Sequence, residues 1–425
     1  MVRVLAMVLA GGRVDELSVL TLFRPKAAVP FGGFYRIIDF PLSNLMHSGI
    51  EKAGILSQYR STSIVRHIGI GSSWDMVGHR RGVHVLPPFR GAKASDWYRG
   101  TADAVYQNFE FIQEDNPDLV LILSGDHVYK MDYGDVIEFH RDNRADLTVA
   151  FKQVPIENAS RFGLGKIAGD PGEPGGELLD YQEKPSHPEY DWASLTIYVF
   201  RTPVLYEVVE ENQRLGKSYE FGRDIIPRML GRYRVFGYRF HGYWGYTRTI
   251  DEYWQTNMDL LAEPSPIDLD QWEVRTNLDN EGVRLRAPST FGANAEVVDS
   301  FIPNGCQIDG RVERSILFPG VRVGTGAVVR DSILMYDTVV SEKATVDRVI
   351  TDVQVQIGPG AHIGRGDASV PNRARPDLLS SGITLIGRNT VLPADIRVGR
   401  NCILSPNLPA ERFGEREIPS GETVE

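Results

Sequence analysis

The chain has 425 residues, 42% of them hydrophobic, and a formal net charge of −10. That length supports two domains with separate cores, and the acidic balance argues against a nucleic-acid binder, whose partner requires a basic face. No window approaches the ~20 continuous apolar residues of a membrane span. The two cysteines, Cys306 and Cys402, lie far apart without metal-site spacing, which fits core thiols in a reducing cytoplasm.

The apolar run Val2–Leu9 opens into Gly11-Gly12. It reads as a buried first strand, rather than a leader, feeding a loop whose bare backbone N–H groups can cradle phosphate. Further strands are expected at Leu119–Ser124, Leu147–Phe151 and Leu195–Phe200, and helices at Thr101–Asp115 and Val204–Asn212. The alternation predicts an α/β domain with a mostly parallel sheet over residues 1–262. Gly11-Gly12 and Gly125-Asp126-His127 both follow strands, at the carboxyl ends where such sheets bind ligands. A Pro- and acid-rich linker is expected at 263–285.

Beyond it the periodicity changes. Ser315-Ile316, Ser332-Ile333 and Val349-Ile350 recur every 17 residues, and Val323/Val329, Val340/Val346 and Ile357/Ile363 step likewise, six residues apart within each pair. Ile386, Leu392, Val398 and Leu404 continue the six-residue step. This is the signature of a hexapeptide β-helix over 286–410, interrupted by an excursion at Arg365–Ser380 and followed by a tail at 411–425. His362, alone on its coil, reads as structural.

The stretch from Leu9 to Ile50 resembles the signature of bacterial ADP-glucose pyrophosphorylases (glucose-1-phosphate adenylyltransferases). So do Trp97-Tyr98-Arg99-Gly100-Thr101-Ala102-Asp103-Ala104-Val105, Gly125-Asp126-His127 and Glu183-Lys184-Pro185. The resemblance implies a Rossmann-like nucleotidyltransferase domain followed by a left-handed parallel β-helix, in a cytoplasmic homo- or hetero-oligomer. It implies catalytic roles for Asp126, Lys26 and Arg24, with Asp126 ligating Mg²⁺. Nucleotide binding falls to Gly11, Gly12, Gln58, Gly100 and Thr101; a Gly-Thr opening a helix offers N–H donors to a base. Tyr98, Gly163, Glu183, Lys184 and Ser194 would bind the sugar phosphate.

Several positions depart from the family pattern, among them Val14 in place of a glycine and Arg24-Pro25-Lys26-Ala27 in place of Arg-Ala-Lys-Pro, a shifted proline. Where the family carries an arginine after the Gly-Gly turn, this chain has Glu16. Its Trp-Arg-Asp-Val-Gly-Thr segment reads Trp244-Gly245-Tyr246-Thr247-Arg248-Thr249, so the second metal-binding aspartate has become Tyr246 and the glycine Arg248. An activator-binding lysine is replaced by Phe23. A carboxylate beside a triphosphate costs a few kcal/mol at an intermediate dielectric (~20), and a phenol is a poor ligand for a hard cation. The expectation is a glycogen-synthesis protein that binds glucose 1-phosphate, ATP or ADP-glucose, and that is weakly active or a non-catalytic partner of an intact paralogue. Its alternative is a fully active glucose-1-phosphate adenylyltransferase.

Overall fold

The computed structural model describes residues 2–12, 14–88, 97–215, 217–279, 283, 285–414 and 417–425. Two compact units divide the chain, one of residues 1–12 with 40–244, the other of residues 13–39 with 245–425. The division expected at 262 therefore falls at 244, and the segment after the Gly turn belongs with the C-terminal unit. Residues 280–282 and 284 of the expected linker lie outside the described residues.

The first unit is built on a nine-stranded sheet. Its order is Gly82–Leu86, Lys52–Leu56, Val4–Leu9, Leu119–Ser124, Trp192–Arg201, Leu147–Gln153, Val235–Arg239, Gly175–Glu183 and Gly163–Ile167. The first four strands run parallel; Trp192–Arg201 is antiparallel to both its neighbours. Every residue of Leu119–Ser124 is buried, which accounts for its unbroken apolar run, since a central parallel strand is covered on both faces. The helix Thr202–Leu215 buries Val204, Leu205, Val208, Val209 and Asn212, one face at helical spacing.

The helix expected over Thr101–Asp115 is two helices, Thr101–Tyr106 and Phe109–Asp115. Asn108 separates them. Its side-chain amide donates to the Ala104 carbonyl at 2.8 Å, competing with the backbone ladder as short polar side chains do.

In the second unit, residues 290–424 form a left-handed parallel β-helix of three sheets with six, seven and six strands. The sequence repeat is its register: Val323, Val340, Ile357 and Leu392 stack in one sheet, and Val312, Val329, Val346, Ile363 and Val398 in another. The recurring serines cross-link successive coils, because Ser315 Oγ accepts from Ser332 N and Ser332 Oγ from Val349 N, each at 3.1 Å. Residues set apart above as a tail extend the solenoid: Glu417–Ile418 pairs with Arg397–Val398, and Thr423–Val424 with Ile403–Leu404. Cys306 and Cys402 are free and buried in its core, and burial pushes each thiol up to about 11.

Residues 14–39 pack within this unit. Tyr253, on the helix Ile250–Met258, donates to the Pro30 carbonyl at 2.5 Å, and Asn257 Oδ1 accepts from Gly32 N at 3.0 Å. The Arg388 guanidinium lies 5.0 Å from the Phe23 ring centroid. Among the described residues, no helix is long and apolar enough to cross a membrane.

Candidate active site

In the first unit, the Gly11-Gly12 turn and Gly125-Asp126-His127 sit at neighbouring strand ends. Leu9 pairs with Ser124, and Gly125 N donates to Leu9 O at 2.9 Å. Ser124 Oγ donates to Asp126 Oδ1, and His127 Nε2 lies 3.5 Å from the same oxygen. Gln58 joins this end of the sheet: Tyr59 N donates to Gly11 O at 3.3 Å, and Gln58 Oε1 accepts from Tyr98 N at 2.8 Å.

The Gly100-Thr101 corner differs from expectation. Its donors face protein rather than open space: Thr101 N and Oγ1 donate to Glu220 Oε2 at 3.2 and 2.6 Å, and Ala102 N to Tyr219 O at 2.9 Å. A Cβ on Gly100 would lie 2.4 Å from Tyr219 O, so glycine is required for this close approach. The Tyr98 hydroxyl is likewise engaged in the fold, donating to Leu86 O at 2.9 Å and accepting from Asn108 Nδ2 at 3.0 Å. Burial pushes it up to about 12.

The Glu183 end gathers a compact polar cluster. Glu183 pairs across the sheet with Gly163, and a Cβ there would lie 1.9 Å from Tyr181 Oη and 2.7 Å from Glu183 Oε2. Tyr181 donates to Glu183 at 3.1 Å, and Ser194 is hydrogen-bonded to Tyr181 and Tyr198. Burial raises the Glu183 carboxyl above its usual value, and Glu220 adds to this, against the opposing effects of Lys184 and Tyr181. Lys184 is exposed, held in the left-handed region at φ 49°, with its N–H on Phe162 O at 3.0 Å. The structure thus brings Gly163, Glu183, Lys184 and Ser194 together. It adds Tyr181, Gly222 and Glu220, none singled out from sequence. A Cβ on Gly222 would lie 2.2 Å from Glu183 Oε2. Strand alternation offered one signal, placing Tyr181 on the face of Glu183.

The second unit gathers the departures from the family pattern. Glu16 Oε1 accepts from Arg248 Nη2 at 2.9 Å and Nε at 3.0 Å. Arg248 Nη1 lies 3.5 Å from the Tyr246 hydroxyl. Lys26 Nζ donates to the Tyr246 carbonyl at 2.8 Å and lies 5.1 Å from the ring centroid. Burial pushes the Glu16 carboxyl up, but its own backbone N–H, Arg248 and Lys26 hold it below the usual carboxylate value. Arg24 is buried, its Nη2 donating to Asp352 Oδ1 at 2.7 Å. Its guanidinium is therefore committed to a solenoid carboxylate.

A glycine turn beside an aspartate turn on parallel strand ends, with a Glu–Lys cluster further along the sheet, in a chain that continues into a hexapeptide solenoid, is the architecture of a sugar-phosphate nucleotidyltransferase. The Nucleotidyl transferase family profile matches residues 5–263, and that of the GlmU-like, C-terminal hexapeptide matches 287–386. The chain is 44% identical to the glucose-1-phosphate adenylyltransferase of Thermomicrobium roseum, covering 99% of this chain and 97% of that one. It is 40% identical to that of Thermotoga maritima, covering 99% and 98%, and 38% identical to that of Acetivibrio thermocellus, covering 99% and 97%. The chain belongs to the glucose-1-phosphate adenylyltransferase family.

Proposed function

We propose that this protein binds glucose 1-phosphate or ADP-glucose through the Glu183 pocket and transfers adenylyl groups slowly, serving glycogen synthesis as a weak enzyme or as the regulatory partner of an intact paralogue. The observation that carries the reading is the contrast between two sets of residues. The pocket around Glu183 has its hydrogen-bond acceptor, its cation Lys184 and its glycine wall at Gly163. The residues for phosphate charge and metal have instead become Glu16, Tyr246 and Arg248.

Asp126 offers one hard oxygen donor, which suits Mg²⁺ arriving with the nucleotide's phosphates, since that ion commonly takes one or two carboxylates plus substrate oxygens. When bound, the ion would neutralise charge on the α-phosphate during in-line attack. Glu183 would accept sugar hydroxyls and Lys184 would pair with the sugar phosphate. Gly11, Gly12 and Gln58 would face the nucleotide.

The test is pyrophosphate release from ATP and glucose 1-phosphate by the pure protein, expected at least ~10²-fold below typical turnover. Calorimetry should detect glucose 1-phosphate binding that Lys184→Ala abolishes. Robust turnover would favour the second reading, full activity. That alternative is supported by the contact of Arg248 with Glu16, which neutralises the carboxylate otherwise opposed to phosphate.

A further inference from the structure

We infer that Arg223, on the turn that abuts Glu183, is a second cation for the sugar phosphate and pairs with it beside Lys184. The inference rests on the reading that glucose 1-phosphate binds at the Glu183 cluster, and it adds to that cluster a residue that no motif marks.

Charge balance motivates it. Glucose 1-phosphate is close to a dianion at pH 7, because a phosphate monoester loses its second proton near pH ~6. The charged groups acting on Glu183 are Lys184, Glu220 and Arg223. With Lys184 as the only cation, a phosphate would join two carboxyl groups and repel them. Arg223 brings the cations to two, and its planar guanidinium presents the fork of donors that suits two phosphate oxygens.

The backbone delivers Arg223 by an uncommon route. Phe221–Ile225 is a single π turn, closed by Ile226 N donating to Phe221 O, that runs into the helix Ile226–Met229. Turns of this kind are rare and frequent at functional sites. Gly222 lets this one press on the carboxylate, since a Cβ there would lie 2.2 Å from Glu183 Oε2. The frame is fixed on both sides. Phe221 is buried, with its N–H on Thr101 Oγ1 at 3.2 Å, and Asp224 Oδ2 accepts from Ser218 N and Oγ at 2.9 and 2.7 Å. Asp224 also lies 3.5 Å from Arg228, so its charge is matched there. Arg223 and Lys184 are both exposed, and neither side chain makes a hydrogen bond or close ion pair among the described residues. A lone exposed arginine is ordinarily just solvated; this one stands on a rigid turn beside carboxyl groups that a phosphate ligand would otherwise oppose.

Calorimetry of glucose 1-phosphate with the full chain tests the inference. Arg223→Gln should weaken binding by at least roughly fivefold. Arg223→Glu should weaken it further, and Arg223→Lys should recover part of the loss. Raising the ionic strength from about 0.01 to about 0.1 M shortens the screening length from about 30 to about 10 Å, and should weaken binding more in the parent than in Arg223→Gln. Melting temperatures of all three variants should stay with the parent's, because the side chain is exposed.

Arg223→Gln binding as tightly as the parent would overturn the inference, as would a salt response that the substitution leaves unchanged. Losses equally deep in Arg223→Lys and Arg223→Gln, with lowered melting temperatures, would mark a structural residue and overturn it too. If the parent takes up no glucose 1-phosphate, the proposed function falls and this inference with it; parent binding that ignores Arg223 sinks this inference alone.

Discussion

Arg24 and Asp352 meet at 2.7 Å with both side chains withdrawn from solvent, joining the segment after the glycine turn to the solenoid. The same Asp352 oxygen accepts from Val353 N at 2.8 Å. Breaking such a pair leaves a buried charge uncompensated, which typically costs 3–5 kcal/mol, whereas replacing both partners by apolar groups can be nearly neutral. Arg24→Ala and Asp352→Ala should each lower unfolding stability by about 3 kcal/mol, and Arg24→Met with Asp352→Leu should restore most of it. Denaturant unfolding of the four proteins decides this; small, additive losses would show the contact to be unimportant.

Glu183 couples binding to a stability cost. Its carboxyl is raised chiefly by burial, so the folded state favours the protonated form. The associated stability is present below the ordinary value of 4.5 and is lost as pH rises through the raised one. Glu183→Gln should therefore make the protein more stable at pH 7 while weakening glucose 1-phosphate binding by at least roughly tenfold. Thermal melts and calorimetry on one preparation give both numbers.

At His140 the sign is opposite. Its Nδ1 is 2.9 Å from Thr148 Oγ1 in the core, and burial, outweighing the nearby Asp146, pushes it from 6.5 down to about 4. Between those values the unfolded chain binds the extra proton and the folded one does not. Stability is then complete above pH 6.5 and falls as pH drops toward 4, by up to about 3 kcal/mol from this group. His140→Gln should flatten the unfolding free energy over that window.

Restoring the family residues one at a time should fail. Glu16→Arg alone places a third cation against Arg248 and Lys26 and should depress pyrophosphate release further. Combined with Arg248→Gly and Tyr246→Asp, it restores a loop guanidinium and a second acid, and release should rise by at least roughly tenfold. A steady-state assay of the single and triple variants would show whether these positions act together.

Much of this was legible in the chain itself. The 17-residue recurrence of Ser315, Ser332 and Val349 is the stacking of coils, read directly because each coil must place an aliphatic side chain and a backbone partner at the same corner. The last coil escaped notice because the step from Val398 to Ile418 departs from that spacing. The Glu183 pocket was visible as a motif, but Gly222 and Glu220 entered it only through folding. Glu16 and Arg248 could each be recognised as departures, yet they are 232 residues apart, and nothing local reveals that they are partners. Arg24 was expected at the chemistry; its acceptor, Asp352, carries no motif to announce it.

The membership of residues 13–39 in the C-terminal unit bears on how this protein can be dissected in the laboratory. The chain passes between units near residues 12, 39 and 244, so a gene cut at the apparent linker yields two incomplete pieces. The N-terminal product would carry the buried Arg24 without Asp352, the carboxylate that holds it in the intact chain, and a buried charge left uncompensated is costly. The solenoid product would lack both the strand-and-turn segment and the helix Ile250–Met258 that holds it through Tyr253 and Asn257. Co-expression of both fragments, rather than either alone, is the route to soluble material.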